Sequence, residues 1–309
     1  MSQALDRLDG QLYAQAGGWL LHDLSWSWGQ VFSRMNLAQQ IDPQPERDVF
    51  LVTGGQRGHT IGDGNADATR TQASTMTLGV QGRRAGWDLG VMGGSLHDGA
   101  TRDWAADSES ASLWRVGGFA GRRMGPVRLG AVFGYAQGPV QTGGASRTAR
   151  AWTLQARVGR DVVLPRQGLS LMPLLGLDLQ HLSLPGARES DSQLGLQVPS
   201  QSEYSSSMLA ALRADRVWEQ GTRSWIFSTA LGLRHEFRLP SSGLTMEFNG
   251  VPGVPFTTHA VAPDRNVLEG SLGVQLRTGR QMTLSLSYQG EYGHSTRANA
   301  LSLRASWAF

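Results

Sequence analysis

The feature that most constrains this chain is a two-residue alternation of apolar and polar side chains, which begins at Asp48 and continues to the last residue. The final segment shows it most clearly, because Leu301, Leu303, Trp307 and Phe309 would share one face of a strand. Successive side chains of a β-strand point to opposite faces, so this period predicts strands and excludes helices.

The alternation divides into twelve candidate strands. Short connections rich in Gly and Pro alternate with longer polar ones, which is the arrangement of an outer-membrane barrel with tight turns on one rim and loops on the other. The candidate strands are 48–58, 71–83, 86–96, 109–122, 126–137, 149–163, 168–182, 202–217, 223–238, 265–277, 281–292 and 298–309. The longer connections are 59–70, 97–108, 138–148, 183–201, 239–264 and 293–297.

The pattern predicts an all-β fold, a twelve-stranded antiparallel transmembrane β-barrel spanning 42–309. A closed barrel is the only sheet that satisfies every backbone group in lipid, and its strands need only every second residue to be apolar. No apolar run approaches the roughly 18 residues that a transmembrane helix needs. Aromatic residues close to the predicted strand ends would form interfacial girdles; they are Trp87, Trp114, Trp152, Trp225, Tyr288, Trp307 and Phe309.

Residues 1–41 have a different period and form a second predicted domain, a helical linker or pore helix. Leu20, Leu24 and Trp28 belong to a series of apolar residues at intervals of three or four. The glycines at 17–18 predict a kink or a break. A twelve-stranded barrel has room for about one helix, so we expect this helix inside the pore; packing under the periplasmic mouth is the alternative.

Strand parity places a mixed set of charged side chains inside the barrel, where they must face water, each other or a plug. Seven cations against six anions show none of the bias expected of an ion-selective porin. Such a lining suits a conduit for an unfolded chain or a socket for a polar helix; a solvated lumen without a transport role is the alternative. The predicted lumen-facing residues are Asp88, Arg115, Arg128, Arg157, Asp178, Arg213, Asp215, Arg234, Glu236, Glu269, Arg277, Glu291 and Arg304.

Composition excludes several classes of function. The chain has no Cys, which rules out disulfides, thiol nucleophiles and thiolate metal sites. All 28 basic residues are Arg, against 25 acidic residues, and no basic stripe marks a nucleic-acid surface. The segment 1–7 lacks the basic and apolar regions of a signal peptide, so we expect an export signal to lie upstream.

Catalytic motifs were sought and the candidates are weak. The pair His97-Asp98 and the segment around His294 faintly resemble parts of outer-membrane hydrolases, but solvated loop residues are the better interpretation. Asp63, Asn65 and Asp67 have the spacing of a calcium loop but lack its Gly and bidentate Glu. The sequence therefore predicts no enzyme, no cofactor and no metal site.

The chain resembles the C-terminal translocator domain of type Va autotransporters over essentially its whole length. The resemblance rests on the helical lead-in at 4–15, the loop Gly-Asp-Gly-Asn-Ala at 62–66, Gly-Trp-x-Leu-Gly at 86–90 and the terminal Phe309. It implies a barrel in the Gram-negative outer membrane, a helix in its pore, insertion by the barrel-assembly machinery and secretion of an upstream passenger. It also implies that Leu301, Leu303, Trp307 and Phe309 act as an assembly signal.

Some members of that family cut their pore helix at an Asn. Asn36 is the only Asn among the first 48 residues, and a helix-surface Asn is the favoured interpretation, with cleavage before Met1 or no cleavage as alternatives.

The expected partners are outer-membrane lipid and lipopolysaccharide, the barrel-assembly machinery and the chain's own passenger. We expect the barrel to be a monomer and its passenger to lie on the extracellular side. A self-standing porin is the alternative function, and an outer-membrane hydrolase is a further one.

Overall fold

The computed structural model describes residues 9–38, 47–103, 108–164, 169–189, 193–221, 223–279 and 281–309, with the backbone alone at 33–38 and 163–164. Within these residues there is one α-helix, α1 (Gln11–Ala38), and none that is long and apolar enough to cross a membrane. The strands are β1 (Arg47–Thr60), β2 (Thr69–Arg84), β3 (Trp87–Arg102), β4 (Ser108–Met124), β5 (Val127–Thr142), β6 (Ala145–Arg160), β7 (Val162–Leu164), β8 (Leu169–Leu184), β9 (Ala187–Arg188), β10 (Leu196–Val198), β11 (Gln201–Gln220), β12 (Arg223–Arg238), β13 (Gly243–Phe248), β14 (Phe256–His259), β15 (Asn266–Thr278), β16 (Met282–Tyr292) and β17 (Thr296–Ala308).

Twelve of the described strands form one closed antiparallel barrel, in the order β1, β2, β3, β4, β5, β6, β8, β11, β12, β15, β16 and β17. The barrel closes where β1 pairs with β17, from Asp48 opposite Ala308 to Thr60 opposite Thr296. The short strand β7 prolongs the edge beside β8, and β9, β10, β13 and β14 form a small sheet within the long loops. The predicted twelve-stranded all-β barrel is confirmed.

The barrel strands agree with the predicted ones in number and order, but several run further toward the long-loop rim. The predicted loop at 138–148 is wrong, because β5 and β6 continue through it and leave only Gly143 and Gly144 between them. Gly143 has a φ of +58°, and two-residue hairpin turns need such left-handed residues. The composition of this segment predicts a loop, whereas its glycine pair forms a tight turn.

Side-chain exposure alternates along the barrel strands. On β2, Met76, Leu78 and Val80 are 53%, 57% and 49% exposed, while Thr75 and Thr77 between them are buried. Apolar side chains therefore cover the outer surface and polar ones face the interior, as a barrel in lipid requires.

Aromatic side chains on the outer surface lie at two levels. Trp87, Trp225 and Trp307 lie beside the short turns. On the long-loop half, Trp114 lies next to Tyr135, with ring centroids 5.6 Å apart. Trp114 is six residues inside the start of β4 at Ser108, so the strands project beyond this upper aromatic level.

Helix α1 is continuous through Gly17 and Gly18, so the predicted break is wrong. The glycines serve packing instead, since a Cβ on Gly17 would lie 2.7 Å from Cγ of Glu203, on β11. Buried apolar side chains occur on every face of α1, which is typical of a helix enclosed by protein. The helix contacts β2 to β6, β8 and β11 of the barrel wall. It lies inside the barrel, as predicted.

Candidate functional site

The first turn of α1 is fixed at the long-loop rim. The Asp9 carboxylate accepts a hydrogen bond from Gln11 N at 2.9 Å and caps the helix. The Gln11 side chain bonds both main-chain groups of Asp67, each at 3.0 Å. Arg102 on β3 donates to the Asp9 carboxylate and to Gln11 Oε1. These bonds tie the start of the helix to the loop between β1 and β2 and to the end of β3.

Tyr13 ties the same end of the helix to β5, β6 and β11. Its hydroxyl donates to Thr142 O at 2.6 Å and lies 2.8 Å from a Glu189 carboxylate oxygen. The Arg147 guanidinium lies 5.1 Å from the ring centroid. Gln201 Nε2 donates to Tyr13 O at 3.0 Å. The long-loop end of α1 is therefore held from several sides.

A charged network joins the middle of α1 to β12, β15 and β16. His22 Nε2 lies 3.0 Å from Glu291 Oε2, and His22 Nδ1 lies 3.0 Å from Asp23 Oδ1. Arg234 lies 2.7 Å from Glu291, 3.0 Å from Glu269 and 3.5 Å from Glu236. One guanidinium thus holds three carboxylates together, and one of them reaches the helix.

Trp28 occupies a recess made by glycines on β4 and β5. A Cβ on Gly134 would lie 2.4 Å from the Trp28 ring, and one on Gly117 would lie 3.0 Å from it. The Arg115 guanidinium lies 4.8 Å from the ring centroid and donates to Ser27 Oγ at 2.5 Å. The Trp28 ring is therefore covered by bare backbone and by a guanidinium group.

The end of the helix nearest the short turns is held by arginines. Arg157 lies over the Phe32 ring at 5.0 Å from its centroid, and Arg304 Nη2 donates to Gln30 O at 2.9 Å. Beside them, the Phe50 and Phe119 rings meet edge to face at 5.9 Å and fill part of the lumen. The short-turn end of α1 is therefore held by two arginines of the barrel wall.

Two cavities lie beside the helix, against the part of the wall formed by β11 to β17. The one toward the short turns has a volume of about 160 Å³ and the one toward the long loops about 120 Å³. Ser25, Arg234 and Glu291 border both cavities. The charged network therefore separates the two spaces.

The thirteen predicted lumen-facing residues divide into three groups. Those that contact α1 are Arg115, Arg157, Asp178, Glu291 and Arg304. Arg234, Glu236 and Glu269 join the helix through Glu291. The third group forms ion pairs within the barrel wall and also includes the half-buried Arg277. The pairs are Arg83 with Asp88 at 3.5 Å, Arg128 with Asp161 at 2.7 Å, and Arg213 with Asp215 at 2.8 Å.

The sequence interpretation missed several residues that hold the helix. Arg102 and Arg147 fell in predicted loops, because the strands were ended too early at the long-loop rim. Extending the alternation by six residues would have placed both in the lumen. Gly134 and His22 gave no signal, since their roles depend on contacts distant in sequence.

The weak catalytic candidates are not brought together. His97 is on the outer surface, 3.1 Å from Ser112 Oγ, while Asp98 is buried on the opposite face of β3. His294 is exposed. The side chain of Asn36, the candidate cleavage residue, lies outside the described residues.

The candidate calcium loop uses its carboxylates internally. Asp63 Oδ1 accepts hydrogen bonds from Asn65 N and Ala66 N, and these bonds hold the pKa of Asp63 below its usual value. Asp67 lies 3.6 Å from Arg102. Among the described residues there is no group of three or more His, Cys, Asp or Glu side chains that could hold a metal ion.

The family model that describes the autotransporter β-domain matches residues 49–289. The chain belongs to this family. It is therefore an outer-membrane translocator domain, in a family whose β-domains are not enzymes. An extracellular serine protease of Serratia marcescens is 22% identical to this autotransporter domain over 325 residues. The match covers 100% of the chain but only 31% of that relative.

Solved autotransporter structures share the fold. The translocator domain of autotransporter NalP from Neisseria meningitidis matches with a TM-score of 0.73 and 14% identity, covering 96% of this chain and 99% of that one. The β-domain of the Bordetella autotransporter BrkA matches with a TM-score of 0.66 and 17% identity, covering 85% of this chain and 100% of that one. At these identities the likeness establishes the barrel with its helix and nothing of a passenger.

Proposed function

We propose that this autotransporter domain exports an upstream passenger across the outer membrane and afterwards keeps α1 in the lumen as its anchor. The direction of α1 carries this proposal. Tyr13 bonds Thr142, at the long-loop end of β5, whereas Phe32 lies under Arg157, near the short-turn end of β6. The helix thus starts at the long-loop rim, so a passenger that precedes it would lie on that side, which we assign to the cell exterior.

This placement assigns a separate role to each of the two parts of the chain. Residues 1–41 act as the pore helix and its connections, and 42–309 act as the transmembrane barrel. Ionic side chains such as Arg157 and Arg234 line the space that the passenger would cross. After export Arg157 contacts α1 directly, and Arg234 is joined to it through Glu291. A lining of both signs favours no particular passenger sequence. The domain itself acts as conduit and anchor, without an enzymatic step.

An open porin is less well supported. A porin of this size needs a continuous aqueous lumen, whereas α1 extends along the barrel with cavities of only about 160 and 120 Å³ beside it. The helix would have to leave before ions or solutes could pass freely.

Surface display of a reporter tests the proposal. A tagged reporter with a signal peptide is fused before Met1 and expressed in a Gram-negative host, and protease is added to intact cells. We expect cleavage of the reporter while the barrel stays protected. A barrel that assembles but leaves its reporter resistant until the outer membrane is permeabilised would refute export.

We further propose that the last strand is the signal for the barrel-assembly machinery, and that the assembled barrel is a monomer surrounded by outer-membrane lipid. Leu301, Leu303, Trp307 and Phe309 all lie on the outer surface, 50% to 71% exposed. Phe309→Ser should slow the appearance of folded barrel in the outer membrane. Phe237→Ser, which changes a 55% exposed aromatic at the other end of a strand, is the control. Equal assembly rates for the two variants would contradict the signal.

A further inference from the structure

The outer surface of β17, β1 and β2 carries a cluster of cations at the long-loop rim. Arg297 and Arg70 are the register partners of His59 on its two sides. Arg57 is the next outward residue of β1, and it is exposed. Directly opposed residues of antiparallel strands have Cβ atoms about 4.5–5.5 Å apart. Three guanidinium groups and an imidazole therefore occupy one small area, which we call the Arg57 cluster.

The charge of the Arg57 cluster is not balanced. Arg70 lies 3.1 Å from Asp103, and His59 lies 4.0 Å from the same carboxylate. In the described part of the chain, neither Arg57 nor Arg297 contacts a carboxylate. Like charges at this spacing destabilise a sheet unless an anion lies between them.

The other carboxylates of the adjoining loops are already engaged. Asp63 accepts hydrogen bonds from its own loop. Asp67 lies 3.6 Å from Arg102, and Asp264 accepts hydrogen bonds from Ser295 N and Thr296 N. The excess positive charge therefore faces outward, to whatever surrounds the barrel.

A shallow furrow lies directly beside the cluster on the outer surface, at Gly55. Gly55 is the next outward residue of β1 after Arg57, and a Cβ placed on it would meet only Ala73 O, at 3.7 Å. Gly55 lies opposite Leu301 on β17, which is 54% exposed, and opposite Ser74 on β2, which is also exposed. The missing side chain leaves a depression one residue long between these two side chains. Thr53, the next outward residue of β1, bounds it from below and lies between Leu303 and Met76.

We propose that the Arg57 cluster and its furrow form a binding site for a phosphorylated glycolipid of the outer leaflet, the lipid A part of lipopolysaccharide. Guanidinium groups bind phosphate oxygens in pairs, so Arg57, Arg70 and Arg297 would hold a sugar phosphate. An acyl chain would enter the furrow at Gly55 and then lie over Thr53, against the exposed side chains of Leu303 and Met76, toward the bilayer centre. A free phosphate ion would bind the cations but would leave the furrow empty. The inference rests on the proposed function in one respect, since it requires the long-loop rim to face outward.

Binding of purified lipid A to the folded full chain in detergent, followed by native mass spectrometry, tests the site. The variant with Arg57→Gln, Arg70→Gln and Arg297→Gln should bind lipid A at least about tenfold more weakly, because the loss of a single charge-assisted contact already contributes about that factor. Arg150→Gln is the matched control. Arg150 is an exposed arginine on β6 whose register partners are Gln137 and Ser183, and it should leave binding unchanged.

A second variant keeps the charge and fills the furrow. Gly55→Leu should weaken lipid A binding while the barrel remains folded by its migration on unheated gels. Unchanged lipid A affinity in both the triple variant and Gly55→Leu would overturn the site. So would equal competition by inorganic phosphate or by phosphatidylglycerol, which would reduce the cluster to a general anion site.

The result of the lipid A binding test can be distinguished from the result of the reporter test of the proposed function. Lipid A binding is measured on purified protein, whereas passenger export is measured on the reporter in cells. A triple variant that loses lipid A but displays its reporter supports both conclusions. A wild-type chain that binds lipid A at the cluster without displaying a reporter refutes export and leaves the site intact.

Discussion

The guanidinium of Arg115, on the barrel wall, lies 4.8 Å from the centre of the Trp28 ring on the helix inside it. Arg115 is 2% exposed and Trp28 is 1% exposed. A cation over an aromatic face contributes about 2 kcal/mol when both groups are shielded from water. The pair fixes the rotation of α1, because the glycines that receive the ring lie on one side of the barrel only.

The Trp28 recess can be tested by filling it. Gly134→Ala would place a Cβ 2.4 Å from the Trp28 ring, and such overpacking costs about 1–3 kcal/mol. We expect a lower unfolding temperature and increased protease access to α1. Gly118→Ala, whose Cβ would meet only Gly90 O at 3.6 Å, is the control. Equal unfolding temperatures for the two variants would show that the recess does not hold the helix.

The sequence predicted the barrel well because its signal is local. Alternation at Met76, Leu78 and Val80 needs no knowledge of the partner strands, and it fixes both the strand and its outer face. The end of a strand is less determined, as the hairpin at Gly143 shows. The residue types that are typical of loops also occur in a long hairpin with a tight turn, so composition does not distinguish the two.

The lumen was less predictable for a physical reason. Parity indicated that Arg234 and Glu291 lie inside, but not that His22 would join them from α1, 269 residues away from Glu291. The recess for Trp28 consists of glycines, whose contribution is the absence of a side chain. Such contacts depend on the rotation and depth of the helix, which no local pattern encodes.

Removing the shared cation of the charged network should destabilise the barrel. Arg234→Leu leaves Glu236, Glu269 and Glu291 without their common partner, and breaking a buried ionic group in this way costs about 3–5 kcal/mol. The temperature at which the folded band disappears on gels should fall. Glu219→Gln, at an exposed position, is the control. Wild-type heat resistance in Arg234→Leu would mean that the carboxylates do not depend on Arg234.

Two adjacent positions on β16 test which face meets lipid. Leu286 is 44% exposed on the outer surface, whereas Ser287 borders the cavity of about 160 Å³. Leu286→Arg should reduce the yield of folded barrel, because an arginine facing lipid near the midplane costs about 2–4 kcal/mol. Ser287→Arg introduces the same side chain into the lumen and should be tolerated. Greater loss of folded barrel from Ser287→Arg than from Leu286→Arg would reverse the assignment of faces.

Conductance across a planar lipid bilayer tests most directly whether α1 occupies the pore. The full chain is compared with one that starts at Pro45 and therefore lacks the helix. At 1.5 Å per residue, the 28 residues of α1 extend about 42 Å along the barrel. The full chain should conduct weakly, and the shortened chain should conduct several times more. Equally large conductance in both proteins would contradict a helix-filled lumen.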